Sequence, residues 1–315
     1  MGFFDRFYYG KAGKRDYSEA DMPSNRVSLF FLVLKDHLFD LVKVNLLQAV
    51  FWIPAFFWSF LSFAAMEEAS ARAAESGDAR FWLASVSGHV LLWLAGLIPC
   101  VGITGPSTAG AAYVMRNWSR DEHAFLWSDF RDALKDNWKQ ALPVSFFSAS
   151  VPVVIFSACL FYGQMAKENA ALYVPLALVV SAGLLFALML VLIYPLMVGY
   201  RLRLRDVIRN AFLMAAAQLP RMALARLITL IPVAVWLWGL FAGNQIPMLI
   251  VFLYYLLFGL AFSRLLYASF ANAVFDLYLN PKIEGAAVRA GMRAPKDTDG
   301  DLTDEDEDDP DEDDE

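Results

Sequence analysis

Cysteine and histidine are nearly missing from this chain, with two and three copies in 315 residues. So few thiols exclude a disulfide framework, and three scattered histidines add no metal-ligand spacing, so no metal is expected. Cys100 and Cys159 both fall in apolar stretches and should behave as small buried hydrophobes. The phosphate loop of ATP-driven machines is absent, because Gly10-Lys11 and Gly13-Lys14 lack the partner glycine. No Ser/His pair or paired carboxylates stand in or near the apolar stretches, so neither an enzyme nor a cofactor is expected.

The most informative absence is of charge. Six stretches contain no Asp, Glu, Lys or Arg: 44–66, 81–103, 143–163, 171–199, 227–243 and 246–263. Each is 17 to 29 residues long, against about 20 needed to cross roughly 30 Å of hydrocarbon as a helix. Inside lipid the backbone must satisfy itself, and unbroken apolar runs do so as helices. The expected fold is therefore all-α: a polytopic membrane protein with six transmembrane helices and cytoplasmic interfacial amphipathic helices. The lack of acids in the spans argues against proton- or cation-coupled transport, which usually keeps a carboxylate near the midplane.

Lysine and arginine set the orientation. Twenty-three lie before the first stretch, in the two even-numbered loops or after the last stretch, against three in the other loops. That asymmetry places both termini in the cytoplasm. Residues 1–43 show no cleavable leader, and Arg6 stands where a myristoylation signal wants Ser or Thr. Residues 280–315 form the other cytoplasmic segment. From Asp297 onward 14 of 19 residues are acidic, a composition expected to be disordered and to keep nucleic acid away. Without it, 19 acids face 26 bases, so the body is cationic although the whole chain carries −7.

Within this frame several segments are amphipathic. Residues 27–43 suit an amphipathic helix that either lies at the cytoplasmic interface or runs into the first span of the membrane domain, 44–279. Trp58 and Phe60 suit an aromatic belt. In the loop 104–142, Gly102, Pro106 and Gly110 recur at four-residue steps, which permits very close helix approach, with Pro106 in a first turn. The stretch 127–142 is expected to be a cytoplasmic amphipathic helix feeding into the third span, with Trp127, Phe130, Leu134, Trp138 and Ala141 on one face.

Four features carry candidate chemistry. The turn that begins Thr104-Gly105-Pro106 and runs to Gly110 offers backbone N–H groups at a helix start beside cytoplasmic arginines; it suits an anion, or else forms a tight helix entry. His89 is the one ionisable side chain inside a charge-free stretch; it either serves a ligand or bonds to Ser85, Ser87 or nearby backbone. Arg201, Arg203, Arg205 and Arg209 suit anionic lipid at the cytoplasmic face of the bilayer. In the tail, Asp297-x-Asp299-x-Asp301 departs from a calcium loop, since Leu302 stands where glycine is required.

The segments "KVNLLQAVFWIPA", "LIPCVGITGPSTAGAAYVMRNW" and "FRDALKDNWKQAL" together resemble the YesL-like family of bacterial integral membrane proteins. The resemblance is carried by Asn45-Leu46-Leu47, Pro54, the run Pro99, Gly102, Gly105, Pro106, Ala109, and Phe130 and Asn137 in the following helix. It covers about 39–143. It implies a protein of unknown activity with some association to carbohydrate uptake. A non-enzymatic accessory or regulatory protein, with a carbohydrate transport system as partner, is therefore expected first. A transporter or channel for a small solute comes second, resting on prolines that interrupt the spans.

Overall fold

The computed structural model describes residues 22–293. Residues 1–21 and the acidic segment from Asp297 lie outside the described part. Among the described residues the chain is all-α: α1 Arg26–Asp36, α2 Leu38–Glu75, α3 Ala79–Gly102, α4 Gly105–Trp118, α5 Leu126–Met165, α6 Tyr173–Gly199, α7 Leu204–Ala217, α8 Leu219–Phe241, α9 Gln245–Tyr254 and α10 Leu260–Tyr278. A π-helical turn, Tyr255–Gly259, joins α9 to α10 without a break in the helical path. Six helical segments are long and apolar enough to cross a bilayer: α2, α3, α5, α6, α8 and the α9–α10 unit. The chain is a multi-pass membrane protein, and an even number of crossings leaves both described ends on one side, the arginine-rich side.

The spanning helices pack as a ring, in the order α2, α3, α5, α6, α8, α9, which closes on α2 through the π-helical turn and α10. Inside its arginine-rich end sits α4, against α5, α6, α10 and α2. The small residues foreseen in the sequence explain how it fits. A Cβ on Gly105 would lie 2.4 Å from the carbonyl oxygen of Ala141, and one on Gly110 would lie 2.7 Å from that of Phe130. Side chains of α4 then enter both buried cores. Ala109 and Ala112 join α6, α7 and α10, while Ala111, Val114 and Met115 join α1, α2 and the start of α10.

Several expectations need correction. The loop helix α4 is interior rather than interfacial, with all but two of its 14 residues buried. The stretch 127–142 does feed into the third span: it is the first part of α5, a 40-residue helix of roughly 60 Å that outruns the hydrocarbon. Its buried face carries Phe130, Ala133 and Ala141, while Trp127 and Trp138 are exposed. Residues 27–43 break at His37, and Leu29 and Val33 of α1 are buried in protein rather than laid on lipid. Trp58 packs against the neighbouring helix α3. Its ring fills the notch left by Gly96 of α3, and its Nε1 donates to the Trp93 carbonyl oxygen at 2.9 Å. Cys100 is half-buried and Cys159 exposed, so the thiols are not core hydrophobes.

The arginine-rich end is tied together by polar contacts. Arg26 pairs with Asp276 at 2.5 Å and donates to the Ser119 carbonyl oxygen at 2.9 Å. Asn272 donates to the Ser119 hydroxyl at 2.7 Å, and the backbone N–H of Arg293 donates to the Pro23 carbonyl oxygen. Burial, with Arg120 nearby, pushes the Arg116 guanidinium below its usual pKa, while Glu122 opposes the shift.

Candidate functional site

Charge-free runs mark the spans too narrowly, and the excess lengths bring arginine into the membrane. Helix α8 starts at Leu219-Pro220, with Pro in the first turn, eight residues before its uncharged run. Arg226 therefore lies inside the helix, roughly 22 Å from its far end at Phe241 by helical rise. Arg264 continues the helical path that begins at Gln245, roughly 28 Å from that start. Both positions fall within or at the inner boundary of a hydrocarbon layer about 30 Å thick. A central arginine costs about 2.5–3.5 kcal/mol in a spanning helix. The surroundings must offset that cost.

Tyr267 does much of this for both. Arg226 Nε donates to the Ala187 carbonyl oxygen at 3.0 Å, and Nη2 reaches the same oxygen. Arg226 Nη1 donates to the Tyr267 hydroxyl at 2.9 Å. The Thr229 hydroxyl donates to the Arg226 carbonyl oxygen at 2.9 Å and stands 2.7 Å from the Tyr267 hydroxyl. Since the Thr229 proton is already committed, Tyr267 donates to Thr229, and the four groups close a circuit. The Arg226 guanidinium carbon lies 5.1 Å from the Tyr267 ring centre. That of Arg264 lies 5.8 Å from the same ring and 5.5 Å from the ring of Tyr194. Cation–π contact of this kind is attractive when desolvated.

These side chains line one cavity of about 280 Å³ at the centre of the ring. Every spanning unit contributes: Trp52 from α2, Val101 from α3, Ser145 and Ser148 from α5, Tyr194 from α6, Arg226 and Thr229 from α8, and Ser263, Arg264 and Tyr267 from α10. Thr104 and Thr108, at the start of α4, form its floor. The lining holds two arginines and no aspartate or glutamate. Neither arginine makes an ion pair among the described residues. Arg264 Nε and Trp52 Nε1 are buried donors without acceptors. A site with spare donors, hydroxyls and two uncompensated cations is complementary to an oxyanion.

The residues singled out in the sequence divide accordingly. Thr104 lines the cavity, its hydroxyl donating to the Val101 carbonyl oxygen at 2.8 Å. Gly105 and Pro106 are buried just outside it, where Gly105 serves the close approach to α5. His89 stands apart on α3, its Nδ1 2.9 Å from the Ser85 carbonyl oxygen. Arg201, Arg203, Arg205 and Arg209 are exposed before and along α7, away from the cavity. The residues that sequence reading missed are Arg226 and Arg264. It counted both as loop charges because charge was used to end the spans. The available signal was the spacing Arg226-x-x-Thr229 and Arg264-x-x-Tyr267, which puts each pair on one helical face.

A second concavity, of about 410 Å³, lies at the rim between His37, Asp40, Lys43, Trp118 and Glu122. It mixes both signs of charge, and the His37 ring stacks on Trp118 at 4.3 Å. Among the described residues no group of three or more His, Cys, Asp or Glu is placed to hold a metal ion.

Fold and cavity together define a class: a helical multi-pass membrane protein with a basic, hydroxyl-lined interior. Residues 81–158 match the model of a family described as a protein of unknown function, DUF624. The matched segment covers α3, α4 and most of α5, and so supplies the cavity's floor and serine wall but neither arginine. No curated protein and no solved structure matches the chain.

Proposed function

We propose that this chain is a non-enzymatic, anion-binding protein of a bacterial plasma membrane, with both termini in the cytoplasm. One observation carries the reading: two arginines share an interior cavity that has hydroxyls but no carboxylate. Burying two cations inside a bilayer without acids is costly, and an oxyanion between them offsets that cost. The lysine and arginine bias supports the orientation. The YesL-like resemblance supports an accessory role beside carbohydrate uptake, a setting in which acidic solutes and lipid headgroups are both at hand. The alternative, transport of a small anion, draws support from the placement of the cavity at the centre of all six spans.

The test uses full-length protein in a neutral detergent, with inorganic phosphate as probe at constant ionic strength. A ligand that binds only the folded state raises the unfolding temperature with concentration. Phosphate is expected to do so for the wild type, and Arg264→Gln and Arg226→Gln are expected to abolish the rise. An unchanged melting temperature in the wild type, or an equal rise in both variants, removes the reading. Phosphate-dependent flux into sealed vesicles selects transport over accessory binding.

A further inference from the structure

We propose that the anion held by the arginines is the headgroup of an acidic lipid, and that its hydrocarbon chain lies in an apolar groove on the other side of Tyr255. The proposal rests on the anion reading above and names the ligand for the same cavity. The groove, about 580 Å³, runs along α2 and the α9–π-turn segment. Phe56, Phe57 and Phe60 form one wall, and Phe252 and Leu256 the other. Its lining is almost wholly carbon, as a chain-binding surface requires.

The adjacency of the two spaces selects the occupant. Tyr255 lines both the groove and the arginine cavity. On α2, Trp52 faces the cavity while the next residue, Ile53, lines the groove. The cationic and apolar spaces therefore adjoin at Tyr255. The π-helical turn places Tyr255 at this seam, and the turn is held there by Asn45. Its side chain donates to the carbonyl oxygens of Tyr255 and Leu256 at 3.0 and 2.7 Å. It accepts from the N–H groups of Leu260 and Ala261 at 2.9 and 3.1 Å. Toward the arginine-rich side the cavity rests on α4, which is packed into both cores. A polar head beside an apolar trough describes an amphiphile. The positive interior then selects an acidic one over a zwitterionic one.

Native mass spectrometry on the full-length protein in dodecyl maltoside, with added dioleoyl phosphatidic acid, dioleoyl phosphatidylcholine or glycerol 3-phosphate, tests this. Phosphatidic acid is expected to bind at least about tenfold more tightly than either other probe. Arg264→Gln is expected to remove that advantage. Ala49→Trp puts an indole into the groove and is expected to weaken phosphatidic acid about tenfold while sparing glycerol 3-phosphate. If Ala49→Trp does not fold, Ile53→Trp, at an exposed position, serves instead. Glycerol 3-phosphate binding as tightly as phosphatidic acid overturns the lipid assignment and leaves the anion site standing. So does phosphatidic acid binding that is indifferent to the groove variant. Failure of both acidic probes to bind, or binding unchanged by Arg264→Gln, overturns the anion reading and the lipid assignment together.

Discussion

The two ends of the bundle are built by different rules. At the arginine-rich end, α4 is almost entirely enclosed, and all seven residues of α6 from Val191 to Met197 are buried, six of them in one core with α4, α7 and α10. At the opposite end the helices scarcely bury one another. The most apolar 18-residue window of α3 contains no buried residue, and that of α2 only 6%. Hydrophobicity alone does not explain the difference, because α4 is almost wholly buried although much of it is glycine, serine, threonine and alanine. Between lipid-bathed helices apolar contact gives little net drive, since lipid tails are as apolar as leucine. Small residues and shared hydrogen bonds do the packing instead, and they concentrate in α4, the π-helical turn and the start of α10. The cavity lies at the boundary of the two regimes.

Removing the hydrogen bonds should weaken the packed end most. Asn45 is fully buried and uses both donors and both acceptors on the π-helical turn. Asn45→Leu removes all four of these hydrogen bonds. Interhelical hydrogen bonds in membranes average about 0.6 kcal/mol with a maximum near 1.7. Four at once are expected to cost about 2–4 kcal/mol. Unfolding in mixed micelles of sodium dodecyl sulfate checks the figure, and a loss below about 1 kcal/mol would show that the turn holds itself.

Close approach gives the next effect and a direct contrast between the ends. Gly105→Ala places a Cβ 2.4 Å from both a backbone carbonyl oxygen and the Ser145 hydroxyl, and the backbone has no room to yield. Overpacking of this kind costs about 1–3 kcal/mol. Gly88→Ala on α3 meets nothing within 4 Å and removes a flexible residue from a helix. It should be neutral or stabilising by up to about 1 kcal/mol. Equal losses in the two variants, measured by the same unfolding assay, would erase the distinction between the ends.

What could be read in the sequence follows the same divide. Six spans, the even topology and the tight helix at Gly105-Pro106 were legible, because run length and four-residue spacing report directly on helices in lipid. The interior position of α4 was not. Its polar, glycine-rich composition looks like a loop unless one knows that Ala141 and Phe130 of α5 lie against it. Arg226 and Arg264 were hidden for a different reason. Hydropathy treats an arginine as the end of a span, whereas Tyr267, Tyr194 and the Ala187 carbonyl let these two sit inside one. Asn45 was noticed only as part of a recurring motif. Its role became apparent once the π-helical turn placed four backbone groups around it.

The smallest effect is expected at His89, which the sequence made the most conspicuous residue of the spans. Its Nδ1 meets the Ser85 carbonyl oxygen one turn earlier on its own helix. A local bond of that kind spans no interface, and α3 is the helix that buries least at its apolar centre. His89→Ala should therefore change stability by less than about 0.5 kcal/mol, the usual range for changes remote from packed features. It should also leave phosphate binding at the wild-type level, in contrast to Arg264→Gln. A measurable loss of binding would mean that the open half of the bundle takes part in recognition, and the functional boundary would then have to be drawn beyond the two arginines.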